Sequence, residues 1–246
     1  MPDPAEELVG CASRARLNVT SRSEGAKAGD ARLGLQAHNA SRLISDPVLK
    51  RIFDCVFAGL GLVFGSFLWP LISLLIWLED GRPILFRQER IGRNGKSFFL
   101  LKFRTMWKDA QGVGLVVDRD FDPRVTRTGR LLRATALDEL PQLLNILKGD
   151  MSFVGPRALP LKVDDHEATR YRTIEDVEGY EVRASVRPGL TGIAQIFAPK
   201  TAPRRAKFKY DLFYIKRWSF GLDLRLVAMS VSISLRGKWE KRTHKV

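Results

Sequence analysis

Two adjacent acids, Asp138 and Glu139, are the strongest candidates for chemistry in this sequence. They begin the segment 137–147, in which leucines recur at helical spacing before Gly149, so the pattern predicts an amphipathic helix. Pro141 fits this helix only in its first turn, where the N–H that proline lacks would have no partner. The acids then lie at the positive end of the helix dipole, which keeps a carboxylate ionised. An ionised Asp can attack phosphorus, and an adjacent Glu can hold a metal ion or move a proton.

Basic residues on both sides of this pair point to phosphate as the group that is bound. Acids are common in the first turn of any helix, so the pair alone is also explained by a structural role. A diphosphate needs fixed cations, however, and Arg is suited to bidentate contact with phosphate. Each basic residue taken singly is also compatible with solvated surface. The candidates at strand ends and turns are Lys102, Arg104, Arg124, Arg127, Arg130, Arg133, Arg157 and Arg187.

Two strand-like runs, 84–91 and 98–104, must position Lys102 and Arg104. Asn94-Gly95 lies between them, and this dipeptide between two such runs is a strong signal for a β-hairpin. Alternating strand–helix units are absent from the sequence, so a doubly wound sheet is not expected. The predicted fold class is α+β, small and helix-rich, with a short β-hairpin.

An apolar run without charged residues extends from Cys55 to Leu78, long enough to cross a hydrocarbon core as a helix. Pro70 interrupts the run and predicts a kink. Lys50 and Arg51 precede the run, and most of the remaining Lys and Arg follow it, so both flanks are predicted on the cytoplasmic side. A re-entrant helix–break–helix that enters and leaves by the same face satisfies both flanks. A simple span and a buried core helix are the alternatives.

The remaining segments are polar or amphipathic. Residues 1–47 contain few large apolar groups and are predicted to be a disordered extension. Residues 206–235 are predicted to be helical and amphipathic, packed on the core or lying on a membrane surface. The predicted organisation is therefore the extension 1–47, the re-entrant membrane segment 48–82, and a catalytic domain, 83–246, with membrane-surface helices.

The net charge of +14 favours acidic partners, namely nucleic acid, anionic lipid or phosphate-bearing substrates. The two cysteines offer neither a disulfide framework nor a metal-ligand spacing, which is simplest to explain in a reducing compartment. No recognisable nucleic-acid module accompanies the charge. Nucleic acid is therefore not among the predicted partners.

A series of short motifs runs in order from Lys50 to about Arg225. Any one of them would be weak, but together they resemble the bacterial sugar transferases, the monotopic phosphoglycosyl transferases of polyprenyl-linked glycan assembly. The motifs are Lys50-Arg51-Ile52-Phe53-Asp54, Phe86-Arg87-Gln88-Glu89-Arg90-Ile91-Gly92, Lys102-Phe103-Arg104-Thr105-Met106, Leu137-Asp138-Glu139-Leu140-Pro141-Gln142-Leu143, Asn145, Lys148-Gly149-Asp150-Met151-Ser152, Val154-Gly155-Pro156-Arg157, Arg187-Pro188-Gly189-Leu190-Thr191-Gly192, Tyr210-Asp211 and Asp223.

The resemblance implies a specific reaction. In that family the Asp of the Asp-Glu pair attacks the sugar-bearing phosphate of a nucleotide diphosphate sugar, here a UDP-sugar, which makes Asp138 the nucleophile. Nucleoside monophosphate leaves, an aspartyl-phosphosugar remains, and polyprenyl (undecaprenyl) phosphate accepts the sugar phosphate, initiating exopolysaccharide or related glycan assembly. The implied cofactor is Mg²⁺, held beside Asp138 and Glu139.

The resemblance also implies roles for other residues and a location. Membrane lipids are implied partners, on the cytoplasmic face of a bacterial inner membrane. The family's membrane helix is re-entrant and broken at a Ser-Pro, which implies a break at Ser66 and Pro70 here. Phosphate contacts are implied for Lys102, Arg104, Arg133 and Arg157, and donor contacts for Arg187 and Gln195.

Two other classes of function stay open at this stage. A membrane-tethered basic protein that binds anionic lipid or nucleic acid would explain the charge and the apolar run, but not the Asp-Glu pair. An ordinary glycosyltransferase would differ in releasing nucleoside diphosphate. The sequence also leaves open which sugar is transferred, and whether the protein is a monomer or a homodimer.

Overall fold

The computed structural model describes residues 47–112, 122–160, 175–199 and 202–239. Within these ranges helices are combined with small sheets, which confirms the predicted α+β class. The predicted disorder of the extension 1–47 falls on residues outside the described ranges, apart from Pro47.

Helices dominate the described ranges. They are α1 (Val48–Gly65), α2 (Leu68–Asp80), α3 (Arg127–Thr135), α4 (Gln142–Lys148), α5 (Tyr180–Ala184), α6 (Ile193–Phe197), α7 (Arg204–Lys216) and α8 (Phe220–Leu235). The strands are β1 (Leu85–Ile91), β2 (Ser97–Phe103), β3 (Ser152–Val154), β4 (Leu159–Pro160) and β5 (Gly189–Thr191).

The apolar run forms two helices, α1 and α2, that are bent by 60° with respect to each other. Among the described residues no single helix is long and apolar enough to cross a membrane, whereas this bent pair passes that test of length and composition jointly. The helix is interrupted at Ser66 and Phe67, where the resemblance implied a break at Ser66, whereas the kink predicted at Pro70 was wrong by about one turn. Pro70 occupies the first turn of α2, where its missing N–H requires no acceptor.

The predicted hairpin is confirmed. Strands β1 and β2 pair antiparallel from Leu85 opposite Phe103 to Ile91 opposite Ser97. Asn94 and Gly95 both adopt positive φ, 56° and 74°, as a tight turn that matches the twist of the strands requires. The short strand β4 joins the free edge of β1, so the sheet order is β2-β1-β4, while β3 and β5 form a separate parallel pair.

Among the described residues, three of the four clusters of buried apolar side chains join most of these elements. One lies between α1, β2 and α4, and a second lies between α2, β2 and α3, so α1 and α2 both pack on the hairpin strand that carries Lys102. The third lies among β3, α6, α7 and α8. The predicted helical segment 206–235 is therefore two helices that pack on the core, while Leu224 and Leu235 of α8 remain exposed.

The outer edge of β2 is closed by one side chain, that of Asn145 in α4. Leu101 N donates to Asn145 Oδ1 at 3.1 Å, and Asn145 Nδ2 donates to Phe99 O at 2.8 Å. An edge strand otherwise presents unpaired backbone groups, and a buried unpaired group is costly. Asn145 is only 1% exposed, so it continues the ladder in place of a further strand and fixes α4 against β2.

We expect Asn145→Asp to destabilise the fold. The new side chain can still accept from Leu101 N, but it has no N–H for Phe99 O and brings a charge into a buried site. The loss of one buried donor costs about 1–3 kcal/mol, which corresponds to a melting temperature lower by several degrees in a chain of this size.

Thermal unfolding of the detergent-solubilised protein, followed by circular dichroism, measures this effect. The matched control is Asn94→Asp, the same substitution at the exposed hairpin turn, where Asp also tolerates positive φ. Equal melting temperatures for the two variants would contradict the role given to Asn145.

Candidate active site

The Asp138–Glu139 pair lies in a tight turn between α3 and α4. Helix α3 ends at Thr135. The next residue, Ala136, has a left-handed backbone with φ 58°, and Leu137–Glu139 form one turn of 3₁₀ helix. The predicted helix over 137–147 is thus shortened at its start, because α4 begins only at Gln142, directly after Pro141. The acids lie ahead of the α-helix instead of in its first turn.

Lys102 of strand β2 brings a positive charge to this turn. Its Nζ lies 2.7 Å from Glu139 Oε1 and 3.7 Å from Asp138 Oδ2. The side chain of Asp138 is 10% exposed and that of Glu139 is 22% exposed, so both carboxylates are largely withdrawn from solvent. The structure therefore brings together three of the residues that the sequence predicts for the site, from two separate elements.

The charges around Glu139 set its ionisation. Burial acts to raise its pKa, but the positive charges of Lys102 and Arg157, a hydrogen bond from Lys102 and the nearby amide of Gln142 together outweigh burial. The pKa of Glu139 therefore lies below its ordinary value, and the carboxylate stays ionised at neutral pH. Arg157, on the loop after β3, is thus placed within electrostatic reach of the pair. Gln142 is a member of this site whose part the sequence did not reveal.

Two predicted phosphate ligands make contacts with the scaffold. Arg133, in the last turn of α3, donates from Nε to Thr105 Oγ1 at 2.9 Å. Arg104 is 8% exposed, and its Nη2 lies 3.1 Å from Asp80 Oδ2 and donates to the carbonyls of Asp80 and Gly81. The structure thus gives Arg104 an anchoring contact at the end of α2 that the sequence did not predict. Phosphate contact by either residue stays a prediction.

The predicted donor-binding residues lie around the loop that carries Arg157. Gln195 is buried and its Nε2 approaches the carbonyls of Gly155 and Gly189, at 3.4 Å each. Arg187 donates from Nε to Gly149 O at 2.8 Å. A Cβ on Gly189 would lie 2.0 Å from Gly155 N, so only glycine permits this close backbone crossing. Gln195 thus contacts the loop, whereas Arg187 contacts the residue that follows α4. Contact of either side chain with the donor stays a prediction.

A buried polar cluster ties the start of α1 to the C-terminal helices. Lys50 donates to Asp223, to Tyr214 and to Val154 O, and Tyr214 and Trp218 also donate to Asp223. One feature of the sequence pointed to this cluster, namely a lysine directly before an apolar helix. Its acidic partner could not be identified from the sequence, because it lies more than 170 residues away.

The donor chemistry of the pair fits Mg²⁺. Within the described residues no cluster of three or more His, Cys, Asp or Glu side chains could hold a metal ion. Mg²⁺ is commonly bound by one or two carboxylates, with waters and substrate phosphates as the remaining ligands. Asp138 and Glu139 supply two such carboxylates side by side.

Comparison with known proteins gives the family. The model of the bacterial sugar transferase family matches residues 45–237, most of the chain. The chain belongs to this family. The resemblance that the motifs indicated is therefore confirmed, and the protein is an enzyme of the sugar transferase class.

Three relatives illustrate the family. An exopolysaccharide production protein, PSS, of Rhizobium leguminosarum bv. phaseoli is 41% identical over 204 residues, which cover 78% of this chain and 98% of the relative. A UDP-glucose:undecaprenyl-phosphate glucose-1-phosphate transferase of Caulobacter vibrioides is 41% identical over 187 residues, covering 74% and 68%. A UDP-N-acetylgalactosamine-undecaprenyl-phosphate N-acetylgalactosaminephosphotransferase of Aeromonas hydrophila is 34% identical over 210 residues, covering 82% and 48%. The chain thus spans about half of the Aeromonas protein.

We expect Lys102→Gln to move the acid limb of the pH–activity profile to higher pH. Removing Lys102 takes away a charge and a hydrogen bond that lower the pKa of Glu139, while burial, which raises it, remains. Glu139 is then protonated at a higher pH, so activity that needs its carboxylate falls off sooner as the pH decreases.

The measurement is product formation across acidic and neutral pH, with Lys96→Gln, an exposed lysine of the same hairpin, as the control. An acid limb at the same pH in Lys102→Gln and wild-type enzyme would show that Lys102 does not set the ionisation of Glu139.

Proposed function

We propose that the protein transfers a sugar 1-phosphate from a UDP-sugar to undecaprenyl phosphate or a related polyprenyl phosphate, and so initiates assembly of an exopolysaccharide. The observation that carries this proposal is the Asp138–Glu139 turn held beside Lys102 in a bacterial sugar transferase. The names of the Caulobacter and Aeromonas relatives support the substrate class, and the name of the Rhizobium relative supports the pathway. These relatives differ in the sugar that they name, so the sugar is left to experiment.

In the first step, an Asp138 carboxylate oxygen attacks the sugar-bearing phosphorus. The bond from this phosphorus to the bridging oxygen breaks, and UMP leaves with both electrons of that bond. In the second step, a phosphate oxygen of the polyprenyl carrier attacks the same phosphorus, and the bond to Asp138 breaks. The carboxylate is regenerated, and the product is a polyprenyl diphosphate sugar. This division lets a soluble donor and a lipid acceptor use one site in turn.

The basic residues around Asp138 counter the main obstacle to the first step. A carboxylate and a diphosphate are both anionic and repel each other. Lys102 and Arg157 place positive charge near the attacking group, and fixed charge in a site largely withdrawn from water stabilises a phosphoryl-transfer transition state strongly. Mg²⁺ bound at Asp138 and Glu139 would neutralise further phosphate charge.

The bent helix pair would place this site at the membrane surface. The proposal is that α1 and α2 enter and leave the cytoplasmic leaflet of a bacterial inner membrane from the same side, with the break at Ser66 at the deepest point. Many large apolar side chains of the pair are exposed, as a lipid environment requires. They include Phe57, Leu60, Val63, Phe64, Phe67, Leu71, Leu74, Leu75, Trp77 and Leu78.

We expect Asp138→Asn to reduce turnover roughly 10³-fold or more, because the amide is not a nucleophile toward phosphorus. The experiment mixes purified enzyme in nanodiscs with Mg²⁺, polyprenyl phosphate and a panel of UDP-sugars, and measures UMP. Asp109→Asn, an exposed acid, is the matched control and should retain wild-type turnover.

Two results would contradict this proposal in different ways. Turnover of Asp138→Asn near the wild-type rate would overturn the nucleophile, and release of UDP in place of UMP would overturn the phosphate transfer.

A further inference from the structure

The outer end of helix α3 is capped by a carboxylate from the end of α2. Glu79 Oε1 accepts from Arg127 N at 2.6 Å, and Glu79 Oε2 accepts from Thr128 N at 2.9 Å. These are the first two amides of α3, which have no acceptor within their own helix. A negative charge is also the favourable one at the positive end of a helix. Glu79 thus binds α2 to the N-terminus of α3.

The outer end of helix α4 is its C-terminus, and it is capped by a positively charged residue of α1. Arg51 Nη1 donates to Ile146 O at 2.6 Å, and Arg51 Nη2 donates to Leu147 O at 2.8 Å. Both carbonyls belong to the last turn of α4, and Ile146 O also accepts from the backbone N–H of Gly149 at 3.0 Å. A positive charge is favourable at this end. Arg51 thus binds α1 to the C-terminus of α4.

The two caps lie on either side of the acidic turn. Helix α3 leads into the turn at Asp138 and Glu139, and α4 leads out of it. One cap comes from the first helix of the bent pair and the other from the second helix. The bent pair therefore contacts the helix–turn–helix unit at both of its outer ends.

We propose that Arg51 and Glu79 are positioning residues, which transmit the arrangement of the bent helix pair to the Asp138–Glu139 turn. This inference rests on the proposed function insofar as it concerns turnover. Neither residue touches the reacting groups, and both act through the helices that they cap.

A further contact at the end of α2 supports this coupling. Asp80 pairs with Arg104 and accepts from Lys108 N at 2.9 Å. Arg104 stands two residues after Lys102, at the end of the same strand. The end of α2 thus contacts two elements of the site. Asp80 links it to Arg104, next to the strand that carries Lys102, and Glu79 links it to α3, the helix before the acidic turn.

The test compares Glu79→Gln and Arg51→Gln with matched controls in the full chain in nanodiscs. Glu178, in the segment before α5, and Arg205, in α7, form an exposed ion pair at 3.0 Å. Glu178→Gln and Arg205→Gln therefore remove the same charges without touching the caps. If Glu79→Gln does not fold, Glu79→Asp, which keeps the charge on a shorter side chain, replaces it.

The first readout is hydrogen–deuterium exchange over residues 122–151, which needs no activity. We expect faster exchange in the turn 137–140 for both cap variants, but not for the controls. At the capped ends themselves, Glu79→Gln should speed exchange in the first turn of α3, and Arg51→Gln should speed it in the last turn of α4. Faster exchange confined to the capped helix ends, with the turn unchanged, would overturn the proposal. Absence of UMP release from the wild-type enzyme would overturn the proposed function alone, because this readout would still decide the positioning role.

The second readout is UMP release, expressed per correctly folded enzyme. We expect kcat to fall about tenfold in the cap variants, while KM for the UDP-sugar changes less than about twofold, since the substrate contacts are intact. A loss explained entirely by a smaller folded fraction, with kcat per folded enzyme unchanged, would overturn the positioning role.

Discussion

Repulsion between like charges is the constraint on which this structure depends. Two carboxyl groups stand on adjacent residues, largely out of contact with water, and any phosphate substrate adds more negative charge. Coulomb repulsion at such distances is large unless opposite charge is fixed nearby. Lys102, which contacts both carboxylates, supplies such a charge, so the position of this lysine relative to the turn is what the surrounding elements have to maintain.

The fold meets this requirement by tying a short helix to the edge of a strand. Lys102 lies on β2, and the acids lie ahead of α4, so nothing in the local sequence brings them together. Asn145 does so by pairing its amide with two backbone groups of β2, and buried apolar residues fill the space between the same elements. Apolar packing alone would tolerate small sliding movements, whereas a two-point hydrogen bond specifies one register.

Local elements were predictable from the sequence, and long-range contacts were not. The hairpin followed from Asn94-Gly95, because few residues accept positive φ at two successive positions. The helix break did not follow from Pro70, because a proline in a first turn is compatible with a helix; the interruption occurs at Ser66, which the resemblance had implied. The acidic pair was predicted as the site, but its backbone was wrongly predicted as an α-helix, since leucine spacing does not reveal the left-handed Ala136.

Buried polar contacts between the apolar helices and the rest of the chain are among the long-range contacts that the sequence did not predict. The contact between Lys50 and Asp223 adds little stability on balance, because desolvation of two charges offsets most of their attraction. Its value lies in discrimination: a buried lysine is costly in any arrangement that does not supply Asp223, Tyr214 and Val154 O together. The exposed apolar side chains of α1 and α2 do not select one orientation of these helices, because an apolar environment would accept them at many helix orientations. The polar residues at the ends of the two helices therefore have to determine how this apolar segment is oriented with respect to the acidic turn.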